Sequence, residues 1–508
     1  MLSFAAPTPD GDGLHLRLGA DETAATRAID AFKNASNRAM WRLGARLALK
    51  SKTIAETAAI SPERAEAVLS FFTTTRAAIG GDYYVPLPSS PLKVRPLLTF
   101  ESRWLLPSAM LFLPAVQPAL ERALNPAFKA PSGSAADWDL YAAQRADLLE
   151  RRAVGALSTL LNGAPAYRNL KYKSIPGMQG HDELDGLILA DTVLILIEGK
   201  AGGFTATARR GDIDAIEGRI KELITDAHTQ ALRAKAYIDT QAAPTFRLED
   251  GTSFVLNKTP IDEILLITVT FEELGVLTGT FNDVRRINTA SASETPWAVP
   301  LHDLEIIARY LKTAPEFVHF LRRRIAMNHA AFAGAFDELD WLGRYFYDSL
   351  TFADLKHIPG SANVWMQSHT TDFDSHELFR TGIRDSEACA PEHTLHSIIA
   401  GLCAALQRWS GHNYINGGVA LLDLPPKLQR SFGKRIAASL KRRRDRLVQE
   451  VASASDRSIR VCCSLISDGV ATTAIKDIEH FGSGEYGRDV HLIVNHRLEV
   501  LDLRWFSS

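Results

Sequence analysis

Asp185, Glu198 and Lys200 sit at the two ends of an otherwise apolar stretch, LDGLILADTVLILIEGKAGGF, over residues 184–204. The Leu, Ile and Val between them belong in a core, where an unpaired charge carries a heavy desolvation cost. A two-residue turn at Ala190-Asp191 would pair residue 189 with 192 and set Asp185 opposite Leu196. Directly paired residues share a face and side chains alternate along a strand, so Asp185, Glu198 and Lys200 would point the same way. That parity depends on the turn, because a loop one residue longer would reverse it. Two carboxylates held together repel unless a cation neutralises them. Hard oxygen ligands of this kind suit Mg2+ or Mn2+, which take few protein carboxylates and complete their shell with water and phosphate. The backbone oxygen of Gly199 could join such a set. A neighbouring ammonium would hold or polarise an attacking water, or stabilise charge developing at phosphorus. The chemistry this implies is phosphodiester hydrolysis assisted by a divalent ion.

The spacing, Asp185 followed after twelve residues by Glu198-Gly199-Lys200, resembles the PD-(D/E)xK nuclease superfamily, and more closely its nuclease-related (NERD-like) branch. The resemblance covers roughly residues 137–311. It implies that Asp185 and Glu198 bind the metal and that Lys200 assists catalysis. It also implies a metal-proximal Glu on the preceding helix. Glu150, in DLLERRAVGALSTLL, fits that place on the stripe of Ala146, Ala153, Val154, Leu157 and Leu161, where a lone carboxylate would be costly. Gln230, in QALRAKAY, resembles the Gln that related nucleases carry near the attacking water. Leu184 stands where the family has its nominal proline, and Glu183 is read as facing away from Asp185. In the AGGFTATARRG segment that follows, Gly202 and Gly203 leave room for close approach, and Arg209 and Arg210 are candidates for phosphate contact. A flexible turn and a solvent-facing pair is the bland alternative. His228 and Arg233 read as surface.

These residues need elements to hold them. A helix from about 137 to 162 precedes AYRNLKYK and the hairpin, and a long helix from about 212 to 241 follows. The latter carries an apolar stripe of Ile213, Ile216, Ile220, Leu223, Ala227, Ala231, Ala234 and Ile238. DEILLITVTF (262–271) reads as a strand, and WAVPLHDLEIIARYL (297–311) as a last strand entering a helix. The alternation predicts an α/β fold. The resemblance sharpens it to a restriction-endonuclease-like mixed β-sheet core flanked by helices. Residues 22–80 read as helical, with Ser61-Pro62 as N-cap and first turn of ERAEAVLSFF. The preceding TIAETAAI makes the pair look like a helix-turn-helix, but two packed helices are the commoner meaning. Arg38, Arg42 and Arg46 would form a basic stripe. APSGSAAD (130–137) marks a boundary, and the part from 312 is mainly helical with late strand-like runs SIRVCCSLI and DVHLIVNHRLEVLDLRW. The expected organisation is a helical region 1–130, a nuclease-like domain 131–311 and a mainly helical α+β region 312–508.

A chain of 508 residues exceeds one core, and 57 Lys+Arg against 59 Asp+Glu gives no global basic field, so a polyanion site must come from local clustering. Cys389, Cys403, Cys462 and Cys463 lack CxxC spacing and read as thiols of a reducing compartment. MLSFAAPTPDGDG lacks the basic start and apolar run expected of a signal peptide, and residues 104–120 carry Pro107, Pro114 and Pro118, so a core segment is preferred to a membrane span. The expected location is cytoplasmic. No GxxxxGK[ST] or GxSxG pattern supports an ATPase or a serine hydrolase. His369, Asp372, Asp374, His376 and Glu377 look more like a polar loop than a metal site, and Arg322-Arg323-Arg324 and Lys441-Arg442-Arg443-Arg444 like solvated faces.

The function expected is a metal-dependent nuclease acting on nucleic acid, DNA rather than RNA, in repair, restriction or defence. Glu150, Asp185 and Glu198 would hold Mg2+ or Mn2+, Lys200 would activate water and Gln230 would orient it. The flanking regions would grip substrate, self-associate or recruit a partner. The alternative is a catalytically inactive nucleic-acid-binding or scaffolding protein on the same fold. A purely structural Glu198–Lys200 pair would leave Glu150 and Asp185 unexplained.

Overall fold

A computed structural model describes residues 48–75, 92, 94–100, 103–106, 112–125, 134–173, 181–209, 212–275, 297–328, 333–352, 364–365, 370–442, 448–454, 458–466 and 486–507. The chain divides into two compact units, Met1–Asp139 and Leu140–Ser508. It is a mixed α/β protein with mixed sheets.

The first unit contains β1 (Ala48–Leu49), α1 (Ser51–Ala58), α2 (Pro62–Phe71), β2 (Thr73–Thr74), β3 (Leu97–Phe100), β4 (Arg103–Leu105) and α3 (Phe112–Leu124), with strand order β1-β4-β3-β2. The Ser61 hydroxyl accepts from Arg64 N at 3.3 Å and Pro62 opens α2, which is the cap the sequence suggests. Leu69, Phe72, Leu97 and Ala119 form its core. Residues 104–120 contribute the end of β4 and much of α3. Among the described residues no helix is long and apolar enough to cross a membrane. Arg38, Arg42 and Arg46 lie outside the described residues.

The long helix α4 (Ala135–Leu160) leads into the second unit, whose first strands are β5 (Ala166–Lys173), β6 (His181–Ala190) and β7 (Val193–Lys200). Then come α5 (Ala206–Arg209), α6 (Ile213–Ile220), a π-helical turn (Lys221–Asp226) and α7 (Ala227–Thr240). The sheet is completed by β8 (Thr245–Arg247), β9 (Ser253–Val255), β10 (Glu263–Thr270) and β11 (Trp297–Pro300). Its seven strands run in the order β11-β10-β7-β6-β5-β8-β9. The β5–β6–β7 pairs are antiparallel, whereas β7–β10 and β10–β11 are parallel. Parallel neighbours must be joined by a crossover, and α6 and α7 lie in the segment between β7 and β10.

The hairpin differs from the sequence reading at its turn. Ala190 pairs with Val193 and Leu187 with Leu196, so the turn is Asp191-Thr192 and not Ala190-Asp191. The partner of Leu196 moves by two positions, which preserves parity. The cause is visible at Asp191. It adopts φ 52°, and its carboxylate accepts from Asn413 N at 2.8 Å and Ile415 N at 3.0 Å. The turn thus caps the start of a later helix, a role that needs the Asp inside the turn.

The two sheet faces bury different helices. Ile188, Ile195, Ile197, Ile267 and Val269 pack with Leu149, Ala153, Val154 and Leu157 of α4. Leu170, Leu187, Leu194, Leu196 and Leu266 pack with Ala231, Ala234, Tyr237 and Ile238 of α7. Close approach of α4 requires Gly186, where a Cβ would lie 2.7 Å from Val154 Cγ2 and 3.2 Å from Ile197 Cβ.

The rest of the second unit comprises α8 (Leu301–Tyr310), α9 (Ala314–Met327), β12 (Ala333–Gly334), α10 (Glu338–Asp348), β13 (Val364–Trp365), α11 (Thr371–Arg380), α12 (Ser397–Trp409), α13 (Tyr414–Asp423) and α14 (Pro426–Lys441). A second mixed sheet of β14 (Val448–Ser453), β15 (Arg460–Ile466), β16 (Arg488–Asn495) and β17 (Val500–Ser507) ends it. The sequence reading separates 131–311 from 312–508, and one core runs across that boundary from Leu149 through Trp297 and Phe317 to Leu503. GSGEYG at 482–487 spells a glycine pattern used for dinucleotides, but it precedes strand β16 instead of opening a helix, so it lacks the required context.

Candidate functional site

The β6–β7 ladder ends at Gly186–Ile197, and one step further outward in that register Asp185 stands against Glu198. On the other side of β6 the pairing with β5 runs through Arg168–Gly186 and Leu170–Leu184 but omits Asn169–Asp185, and Asn169 takes φ 51°. Leu184 and Leu187, three residues apart, both enter the α7-side core, so strict alternation breaks between them. Asp185 therefore sits at an irregularity. Its Oδ2 accepts from Gly199 N at 2.7 Å, taking up a backbone donor where the strand ladder has stopped.

Glu198, on β7, is 1% exposed, and its Oε1 has no hydrogen-bond partner among the described residues. Beside it in the parallel register is Thr268 of β10, also 1% exposed, whose Oγ1 likewise lacks a partner. Lys200 Nζ lies 3.9 Å from Glu198 Oε2 and donates to Gln230 Oε1 from α7. Glu150 arrives from the opposite face on α4. A Cβ placed on Gly199 would be 3.5 Å from both Asp185 Oδ2 and Glu150 Cγ, so these two acids flank the same backbone segment. Glu183 is exposed. The end of β7 thus gathers Asp185, Glu198, Lys200, Gln230 and Glu150, drawn from two strands and from helices on both faces.

The electrostatics follow from burial. Desolvation, with Asp185 adding repulsion, pushes the Glu198 carboxyl up to about 9, against a smaller opposing pull from Lys200. Glu150 is raised to about 7, again by desolvation first and the Asp185 charge second. Asp185 is raised by burial, which its bond from Gly199 and the Lys200 charge only partly offset. All three acids are thus held where their charged forms are costly, and a divalent cation would relieve that cost. Among the described residues no three His, Cys, Asp or Glu side chains meet closely enough to form a ready-made metal cage.

The segment after Lys200 is less open than its glycines suggest. A Cβ on Gly202 would lie 2.9 Å from Arg219 Nη2, which donates to Gly203 O at 2.6 Å. Phe204 N donates to Glu272 Oε2 at 3.2 Å. The close approach is made by the protein's own side chains. Arg209 ends α5 with its side chain outside the description, and Arg210 lies outside the described residues. His228 and Arg233, read as surface, are respectively buried and half-buried. Arg233 and Thr268 are the site neighbours that sequence reasoning missed. Arg233 had a signal, since it lies one turn beyond Gln230. Thr268 had none, because its place depends on a pairing between strands far apart in sequence.

The other sequence candidates have structural partners. Arg322 pairs with Glu263 at 2.6 Å, Arg323 with Asp423 at 2.9 Å and Arg324 with Glu338 at 2.5 Å, so the triple arginine is not a solvated face. His376 Nδ1 lies 2.6 Å from Tyr310 OH, and Glu377 meets Tyr310 OH at 2.9 Å and Arg309 at 2.8 Å, tying α11 to α8. Asp372 and Asp374 belong to the first turn of α11, which makes this segment helical, not a loop. His369, Arg443 and Arg444 lie outside the described residues, and Lys441 and Arg442 end α14. Compared with family models, curated proteins and solved structures, the chain matches none.

Proposed function

We propose that this chain is a metal-dependent nuclease hydrolysing phosphodiester bonds, DNA in preference to RNA, on a restriction-endonuclease-like sheet. The observation that carries the reading is Glu198. It is a fully buried carboxylate with one oxygen unpartnered among the described residues, beside a second, half-buried carboxylate, with an ammonium held at the same strand end. Structural ion pairs satisfy their atoms, and this one does not. Asp185 and Glu198 would hold Mg2+ or Mn2+, with Glu150 beside them, since such ions accept one or two carboxylates and keep several waters. When bound, the ion supplies Lewis-acid polarisation of a phosphoryl oxygen and a lowered pKa for water.

The protein's own groups do the rest. Lys200 has three ammonium donors, and the bond to Gln230 engages one, leaving others for a phosphoryl oxygen or an attacking water. Gln230 fixes the ammonium and can hold a water through its amide nitrogen. Cleavage of plasmid and single-stranded substrates with and without Mg2+ or Mn2+ tests the reading. Metal-dependent cleavage lost in Lys200→Ala and Asp185→Ala supports it, and cleavage undiminished in both removes the assigned site.

The lack of a ready-made three-acid cage among the described residues favours a second reading, a protein that binds nucleic acid on this fold without turnover. Binding without cleavage under every metal condition would select it.

A further inference from the structure

We propose that Arg233 forms an anion subsite beside the carboxylate pair and takes a backbone phosphate of the nucleic-acid substrate. Arg233 stands on α7 one helical turn beyond Gln230, so the two side chains leave the helix on the same side. Gln230 reaches Lys200 at the end of β7, and the Arg233 guanidinium is close enough to favour the charged form of Glu198. Arg233 is nevertheless half-buried with no ion pair among the described residues, and its Nε is shielded from solvent without an acceptor among them. Half-buried arginines elsewhere in the same unit behave differently. Arg168 meets Asp147 at 2.9 Å, Arg322 meets Glu263 at 2.6 Å and Arg435 meets Glu450 at 3.0 Å.

A buried guanidinium donor left without an acceptor is costly, and the two non-bridging oxygens of a phosphodiester offer the two-point acceptor that the planar guanidinium fork fits. A phosphodiester strand suits the subsite because it places successive phosphates at fixed spacing, so one can sit on Arg233 while its neighbour lies at the end of β7. This inference rests on the nuclease reading of the same site. It assigns a contact to a phosphate flanking the one that is cut, not to the reacting group.

Binding of a fluorescent DNA oligonucleotide in EDTA, measured by anisotropy across a salt series, tests the contact without any metal or turnover. The full-length chain is compared with Arg233→Gln and Arg233→Lys. The expected result for Arg233→Gln is affinity lower by about tenfold and a log K against log salt slope shallower by about 1, with Arg233→Lys recovering part of both. A purely structural Arg233 would lower the melting temperature and leave the salt slope unchanged, and that outcome overturns the proposal. Equal affinity and slope in all three proteins overturns it too, as does a native chain that binds no DNA. A native chain that binds with the Arg233-dependent slope, yet cleaves nothing with Mg2+ or Mn2+, sinks the nuclease reading while leaving the subsite standing.

Discussion

Buried charge occurs in two parts of the second unit, and the two parts treat it differently. Among the helices after the sheet several strongly buried charges are answered, Asp303 of α8, raised to about 8 by burial, being an exception. Arg324, 1% exposed, makes a two-point contact with Glu338, 0% exposed, which also accepts from Trp297 Nε1 at 2.9 Å. Burial alone would raise Asp423, but His319, Arg488 and Arg323 hold it well below the usual carboxylate range. Ser349, His393 and Glu316 even reproduce the order of a hydrolytic triad, with Oγ–Nε2 and Nδ1–Oε1 distances of 2.9 Å each. That trio is closed in: His393 packs on Tyr345 and Phe346, and the second Glu316 oxygen accepts from Lys312 N at 2.9 Å. It braces α9 against α10. At the end of β7, by contrast, Glu198 keeps an orphan oxygen and all three acids are pushed upward. Charge burial by itself marks nothing; burial that the fold leaves uncompensated marks a place built for something else to arrive.

The largest effect that would sharpen this contrast is on stability. Glu338→Ala strands the Arg324 guanidinium in the core and should cost about 3–5 kcal/mol in urea unfolding. Glu198→Gln removes an uncompensated carboxylate and should leave stability unchanged or higher. Comparable losses from both would erase the distinction.

Next comes activity. Lys200→Ala should lower metal-dependent cleavage by about 10²- to 10³-fold, on the scale of removing one group that stabilises the transition state, with little change in melting temperature. A variant that unfolds instead would make Lys200 a structural pairing residue.

The pH dependence should differ in sign between Glu198 and Asp423. Glu198 is raised from 4.5 to about 9, so the folded state keeps a proton that the unfolded state releases. The stability tied to that proton is full below 4.5 and is lost as pH rises through about 9. Glu150, raised to about 7, adds a loss of the same sign. Asp423, held low, contributes in the opposite sense: its stability is present above the ordinary carboxylate range and fades only as acid protonates it. Melting curves should therefore show the native chain losing more stability toward alkaline pH than Glu198→Gln. Parallel profiles would contradict the raised carboxyl.

The smallest effect concerns the turn. Asp191→Ala removes the carboxylate that accepts from two backbone N–H groups at the start of α13 and should cost about 1 kcal/mol by thermal unfolding, without a comparable fall in cleavage.

How much of this was legible beforehand depended on whether a feature was local. The hairpin, the helix carrying Glu150, the α7 stripe and the Ser61-Pro62 cap are written in neighbouring residues, and period alone exposes them. The turn was misplaced because Asp191 is fixed by Asn413 and Ile415, more than two hundred residues away. The irregularity at Asp185 and the neighbour Thr268 depend on pairings with β5 and β10 that no short window contains. The π-helical turn at Lys221–Asp226 carries no glycine or proline to announce it. The triple arginine looked like a solvated face because its acids, Glu263, Asp423 and Glu338, are scattered along the chain.

The central claim is that the Asp185–Glu198 pair is completed by a divalent cation. Calorimetric titration of Mn2+ near neutral pH, run in two buffers of different ionisation enthalpy, reads it directly. The account predicts saturable binding with proton release by the native chain, and loss of both in Asp185→Asn and in Glu198→Gln. Indistinguishable heats from all three proteins, or binding with no proton released, would contradict it.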